Sequence, residues 1–455
     1  MEYRDIEGRH STSPVNERIK AEVDGISLVD THEHIMLEAE RNECAVDFSY
    51  LFAHYNSSDL ISAGLSPRMM EAIRFPMHRV RVEGYKRRKV RRAIPEPEKA
   101  DMSLDERWQA MAPFWEMMRN TAYARQTLIT IRDIFGVADL NRDTYQPLSE
   151  AIAKSRRRGW YRHVMKEKAN IAVSIVDWQS TDLLAELFVP TMRLDHFISV
   201  QSRSDLAALE AESGMAIHAL DDLVKAMRAT LEGYIAGGAV AVKSGLAYNR
   251  TLKYDKVSRH EAEVVFNRIA GHLGEGLAWL EAKPLQDYMM HQVIRAAIDA
   301  GLPVQVHTGL QEGNENIITN ANPTHLVNLF IEYKEARFDL FHGGYPYVHE
   351  WATLAKYFPN VTADITWLPI ISPEVARRLL HELIETVPGN KIMAFGGDAM
   401  TVEMAYGHSV MARQVVARVL SEKVDEGYLS EEEAITLAWR MLRDNPASLY
   451  KLKAK

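Results

Sequence analysis

In the stretch QDYMMHQVIRAAIDAGLPVQVH, Gln286 to His307, one structural period gives way to another. From Gln286 to Ala300 apolar residues recur three and four apart, the spacing of a helix with one buried face. Gly301 is the residue type that ends such a helix, and Pro303 to His307 is a short apolar run that finishes in a histidine. A helix that feeds a buried strand is half of a βα repeat, and repeats of that kind build a parallel sheet.

The same alternation extends outward on both sides. Eight strand-like runs are read: Gly25 to Asp30, Asn170 to Val176, His196 to Val200, Ala239 to Lys243, Pro303 to His307, Phe338 to His342, Val361 to Ile365 and Lys391 to Phe395. Eight strands close a (β/α)8 barrel, so the expected fold class is α/β, a TIM barrel. Helical spacing is read at His260 to Glu281, Met404 to Leu420 and Ser430 to Leu442, the last opened by the capping-box pattern Ser430-Glu-Glu-Glu433. One segment interrupts the alternation. Residues 47–168 are rich in Met, Arg and Trp, with helical spacing and no convincing strand. The expected organisation is therefore an N-terminal segment with the first strand (1–46), a helical insertion (47–168) and the rest of the barrel with its closing helices (169–455). The insertion leaves from the C-terminal end of the first strand, which places it over the barrel mouth as a lid or substrate wall. Pro95-Glu-Pro97 reads as a turn within it.

Composition narrows the class of protein. The 455 residues carry 54 Lys and Arg against 62 Asp and Glu, a net charge of −8, and 47% are hydrophobic, which excludes a disordered chain. A single cysteine, Cys44, excludes an intramolecular disulfide and makes the cytoplasm the expected compartment. Met1 to Ser13 has no apolar core of a secretory signal, and no run approaches the ~18 apolar residues of a membrane span. Mixed charge gives no general attraction to nucleic acid; the basic stretch Arg79 to Arg92 reads as a solvated helix face. The expected partners are a small-molecule substrate and, from the prevalence of symmetric assemblies, further copies of the chain.

The chemistry sits at strand ends. In Val29-Asp30-Thr31-His32-Glu33-His34 two histidines alternate at period two, so both imidazoles leave the same side of the strand. Lys243, His307 and His342 end the fourth, fifth and sixth strands, and Asp398 follows Phe395-Gly-Gly397 after the eighth. Singly, each has an ordinary structural reading. Together they converge on one barrel mouth, and imidazoles with a carboxylate are the donors that zinc, iron or manganese takes. Further strand-end residues are candidates for substrate contact: Asp177, Trp178, Gln201, Arg203, Tyr248, Arg250, Gln311, Asn314, Tyr345 and Trp367, with the two arginines placed to grip a carboxylate. Trp108, Phe114, Trp115 and Tyr123 of the insertion are candidates for the pocket wall.

His32-x-His34, Lys243, His307, His342 and Asp398 together resemble the amidohydrolase superfamily. Within it, Lys283-Pro-Leu-Gln-Asp287, Val304-Gln-Val-His-Thr-Gly309, Phe341-His-Gly-Gly-Tyr-Pro346 and Phe395-Gly-Gly-Asp398 resemble the amidohydrolase-related branch that also occurs fused to glutamine-synthetase-like domains, and the insertion is similar to that of uronate isomerases. The resemblance implies one or two divalent ions, zinc first and iron or manganese as alternatives. His32 and His34 would hold one with Asp398, His307 and His342 a second, with a carbamylated Lys243 between them. In single-metal members His307 joins the first site and His342 acts in catalysis. The expected reaction is hydrolysis of an amide, lactone or ester of a small anionic molecule, with Asp398 and His342 as the catalytic groups. The alternatives are a dinuclear iron or iron–manganese oxygenase, a decarboxylase and a sugar-acid isomerase. The last is weakened because the arginine-bearing strand ends of uronate isomerases are not evident.

Overall fold

A computed structural model of the chain describes residues 13–73, 102–177, 184–272, 274 and 276–452. Arg79 to Arg92, Pro95 to Pro97 and Trp178 lie outside the described residues. Eight strands form one parallel sheet in sequence order: β1 (Leu28–Glu33), β2 (Ile171–Asp177), β3 (Phe188–Arg193), β4 (Val242–Ser244), β5 (Val304–Val306), β6 (Phe338–Leu340), β7 (Val361–Asp364) and β8 (Ile392–Met393). The chain just beyond β8 returns to β1 through three backbone bonds: Thr31 to Phe395 (3.3 Å), Asp398 to His32 (2.7 Å) and His34 to Ala399 (2.8 Å). This curled sheet with its surrounding helices is a TIM barrel.

Two expectations are corrected. The third strand is not His196 to Val200, where Asp195–Ile198 is a single helical turn, but Phe188–Arg193. Pro190 in that run counts against a central strand, because it has no N–H for the ladder. Here its carbonyl still accepts from Val240, so the strand pairs despite it. His260 to Glu281 is not one helix. It divides into Arg259–Gly271 and Trp279–Ala300, and Gly276, at φ 105°, lies in the turn between them. Helix Trp279–Ala300 ends at Gly301 in the left-handed conformation, and Ser430 and Glu433 form the capping box of helix Glu431–Trp439.

Between β1 and β2 the described residues are helical. Phe48, Trp108, Met111, Trp115, Leu128 and Leu148 share a core of their own. The helices are fastened to the barrel by a buried group in which Glu403, on helix Val402–Asp425, accepts from Arg41 (2.5 Å), Trp160 (2.7 Å) and Tyr50 (3.1 Å). Gly407 on the same helix allows the close approach, since a Cβ there would stand 2.6 Å from Gln126 Nε2 and Thr130 Oγ1. Below the mouth Tyr450, from the C-terminal end of the chain, donates to Asp339 and accepts from Gln305 (2.8 Å). No helix among the described residues is long and apolar enough to cross a membrane.

Candidate metal centre

All six residues read from the sequence as metal ligands lie at the mouth of the barrel. β1 is buried along its whole length, and its alternation sends His32 and His34 to one side, ring centroids 4.7 Å apart. Asp398 faces them: Oδ1 is 3.2 Å from His34 Nε2 and 3.7 Å from His32 Nε2, while Oδ2 is 3.8 Å from His342 Nε2. Lys243 Nζ lies 3.4 Å from His32 Nε2 and 3.7 Å above the centre of the Phe341 ring. His32, His34 and Asp177 also offer donor atoms within 4.8 Å of one another. Asp177, read as a substrate contact, is thus placed as a further candidate ligand, and Arg193 grips its carboxylate (Nε 2.7 Å).

Burial fixes the charges in a form a metal can use. It drives His32 and His307 well below the ordinary imidazole range and His342 down to about 3, so all three stay neutral at pH 7. Burial would raise Asp398, but the facing imidazoles of His34, His32 and His342 hold it well below the usual carboxylate range. Burial, aided by Arg193, brings Lys243 down to about 7 against the pull of Asp177 and Asp398. A good fraction of that amine is neutral at physiological pH and therefore nucleophilic.

The donor set fits a metal on a specific observation. His307 Nε2 donates to the Leu310 carbonyl (2.8 Å) and His342 Nδ1 to the Thr366 carbonyl (3.1 Å). Those carbonyls fix both tautomers, so His342 Nε2 and His307 Nδ1 turn bare lone pairs toward each other at 2.9 Å. A cation shared between two such nitrogens would satisfy both, and their separation suits two neighbouring ligands on one ion with bonds of ~2.0–2.1 Å.

The backbone is strained where the site is built. Of the seven non-glycine residues with positive φ among the described residues, His342 (70°), Trp367 (67°) and Asp398 (53°) belong to this mouth, and His54 (63°) faces it. His54 and Tyr55, which sequence reasoning missed, come from the insertion. The His54 ring lies 6.0 Å from that of His34, and Tyr55 stacks on Trp367 at 4.1 Å. Trp367 in turn meets His342 edge-on at 5.2 Å. Burial and nearby Asp398 push the Tyr55 hydroxyl well above the phenol range, so it stays protonated. Neither residue had a strand-end position to mark it; a histidine–tyrosine pair at the start of the inserted helices was the only signal.

The predicted substrate contacts separate into groups. Tyr248 packs on His307 at 4.9 Å and accepts from Glu312 N–H (2.9 Å), and Gln311 bonds the neighbouring Ala247 carbonyl (2.6 Å), so both line the mouth. Tyr345 is half-buried beside the His342 turn, and Asn314 bonds Ser58 of the insertion (3.2 Å). Arg203 is not at the mouth. With β3 ending at Arg193, it lies exposed at the start of helix Arg203–Ser213 and donates to Ala270 (3.3 Å), and Gln201 precedes that helix. Arg250 is buried but committed to Asp287 (2.6 Å) and Gln286 (3.0 Å). The arginine at the end of the third strand is instead Arg193, in place of the expected Arg203. Of the four insertion aromatics read as pocket wall, Tyr123 reaches this region, stacked on Tyr55 at 5.5 Å. Trp108, Phe114 and Trp115 pack the insertion's own core.

The family model described as Amidohydrolase matches residues 199–452. Protein fluG of Emericella nidulans is 28% identical over 222 residues, a match that covers 47% of this chain and only 26% of that protein. A uronate isomerase of Rhizorhabdus wittichii is 22% identical, covering 76% of this chain and 80% of its own length. Among solved structures, uronate isomerase from Thermotoga maritima superposes with a TM-score of 0.77 at 17% identity, covering 96% of this chain and 98% of that one.

Proposed function

The chain belongs to the amidohydrolase family and is an enzyme of that superfamily, and on this premise we propose that it is a metal-dependent hydrolase of an amide, lactone or ester bond in a small anionic molecule. The observation that carries this reading is the facing pair of bare imidazole lone pairs on His307 and His342, next to the His32, His34 and Asp398 cluster. His32, His34 and Asp398 would hold one ion and His307 and His342 a second, and Lys243 of β4, partly neutral, would supply a further carboxylate donor once CO2 has carbamylated it. Bound divalent metal supplies Lewis acidity, polarising a carbonyl and lowering the pKa of water toward ~7. Asp398, kept ionised by the imidazoles, receives the proton at Oδ2, the oxygen turned away from His32 and His34, and returns it to the leaving group. Tyr55 and Trp367 close the mouth from the insertion side and exclude bulk water.

A second reading, aldose–ketose isomerisation of a uronic acid, is favoured by the similarity to uronate isomerases over most of the chain, by Arg193, a cation at the end of β3 paired with Asp177, and by Tyr55, a protonated hydroxyl near Asp398. One experiment separates the two: metal content of untagged protein by elemental analysis, with assay against lactones, amides and esters and, in parallel, against uronic acids. The hydrolase reading expects about two metal equivalents, as in other two-metal sites, and product from the first set. Turnover of uronic acids alone replaces it with the isomerase.

A further inference from the structure

Asp398 is held in place from β1 on both of its flanks. Asp30 Oδ1 accepts from Gly397 N–H (3.1 Å), and Glu33 Oε2 accepts from Ala399 N–H (2.6 Å). Between these two bonds the Asp398 N–H donates to the His32 carbonyl (2.7 Å), and the His34 N–H donates to the Ala399 carbonyl (2.8 Å). The residues of β1 therefore divide the work. His32 and His34 point their imidazoles at Asp398, while Asp30 and Glu33 grip the peptides next to it. The pairing of β1 with β2 shifts register between Asp30 and Glu33, so these two side chains are not bound to one strict alternation. Gly397 leaves room for the grip, because a Cβ there would overlap Glu33 Oε1.

A wholly buried glutamate at the end of a strand is an expensive way to hold a loop. Its position explains it. Asp398 sits at φ 53°, a conformation that a non-glycine residue keeps only when its surroundings impose it. The Ala399 N–H is the first backbone donor beyond Asp398, and Glu33 is its acceptor. We propose that Glu33 is a positioning residue for the metal centre: by holding Ala399 N–H it keeps Asp398 left-handed and aims Oδ1 at the His32 and His34 nitrogens. The inference rests on the reading of His32, His34 and Asp398 as metal ligands.

The test is the affinity of the full chain for Zn2+ and Co2+, by competition with a chromogenic chelator, together with the visible absorption of the Co2+ form. Wild type, Glu33→Gln and Glu33→Ala are compared, and thermal unfolding without metal checks that each is folded. Gln keeps an oxygen that can accept from Ala399, so its affinity stays within about threefold of wild type. Ala loses about 10–100-fold, the usual effect of removing an outer partner of a ligand, and its Co2+ bands shift. A folded Ala variant with wild-type affinity and spectrum overturns the proposal, as does a Gln variant as weak as Ala. Where Glu33→Ala does not fold, Gly397→Ala displaces the same carboxyl from the other side and carries the same expectation. Wild type that binds neither ion overturns the metal reading itself, and this inference with it.

Discussion

Asp398 and His408 show how burial sets the charge of single residues in this molecule. Asp398 is ionised because three imidazoles face it, so Asp398→Asn keeps its shape and removes the proton acceptor. Turnover is expected to fall by ~10²–10⁴, the usual weight of a general base, as measured by kcat on whichever substrate the assays identify. Unchanged turnover would favour a noncatalytic, metal-stabilised scaffold. At His408 burial wins instead. It lowers the imidazole to about 4, against the Gly397 carbonyl to which Nδ1 donates (2.5 Å) and the more distant charge of Asp398. Unfolded, the same imidazole takes up its proton near pH 6.5, so between pH 6.5 and 4 the unfolded state binds more protons and stability rises with pH. Wild type should therefore lose about 3 kcal/mol relative to His408→Gln as pH falls across that window, read from urea unfolding at each pH. The gathering of the six candidate ligands at one mouth was legible in the sequence because each ends or follows a strand. His54 and Tyr55 were not, because only the folding back of the insertion brings them to the mouth.

Among the contacts that join the insertion to the barrel is a buried polar group, and it carries a measurable load. Arg41, Tyr50 and Trp160 from the β1–β2 segment converge on Glu403, in the helix that follows the Asp398 turn. Arg41→Ala removes the cationic partner of buried Glu403, and breaking a buried pair in this way costs ~3–5 kcal/mol. The expected result is a lower midpoint in chemical unfolding. The same element scale explains the misread third strand. Short apolar runs are not unique to strands: His196-Phe-Ile-Ser-Val200 has strand composition, yet its first residues form a helical turn after Arg193, with Asp195 held by Gly245 N–H (2.8 Å). Pro190 disguised the true strand, since its cost to the ladder is visible in sequence while the pairing that tolerates it is not. That one displacement moved the expected arginine from 193 to 203.

At the scale of the whole molecule the barrel is closed twice, by the β1 bonds to the chain beyond β8 and by Tyr450 entering from below. Tyr450→Phe removes the donor to buried Asp339 and the acceptor for Gln305 while keeping the ring. Leaving those polar groups unsatisfied should cost ~1–3 kcal/mol, seen as a lower urea midpoint. The sequence by itself determined the βα alternation, the eightfold count, the helical stretch after the first strand and the convergence of His32, His34, Lys243, His307, His342 and Asp398 on one mouth, because period, turn chemistry and strand-end position are local properties that one chain segment expresses alone. Only the tertiary structure decided that Asp177 and Arg193 join the mouth, that Arg250 is consumed by Asp287, that Tyr55 covers Trp367 and that Glu33 holds the peptide beside Asp398. These are contacts between segments far apart in the chain, made when the barrel closes, and burial there sets the charges on which the chemistry depends.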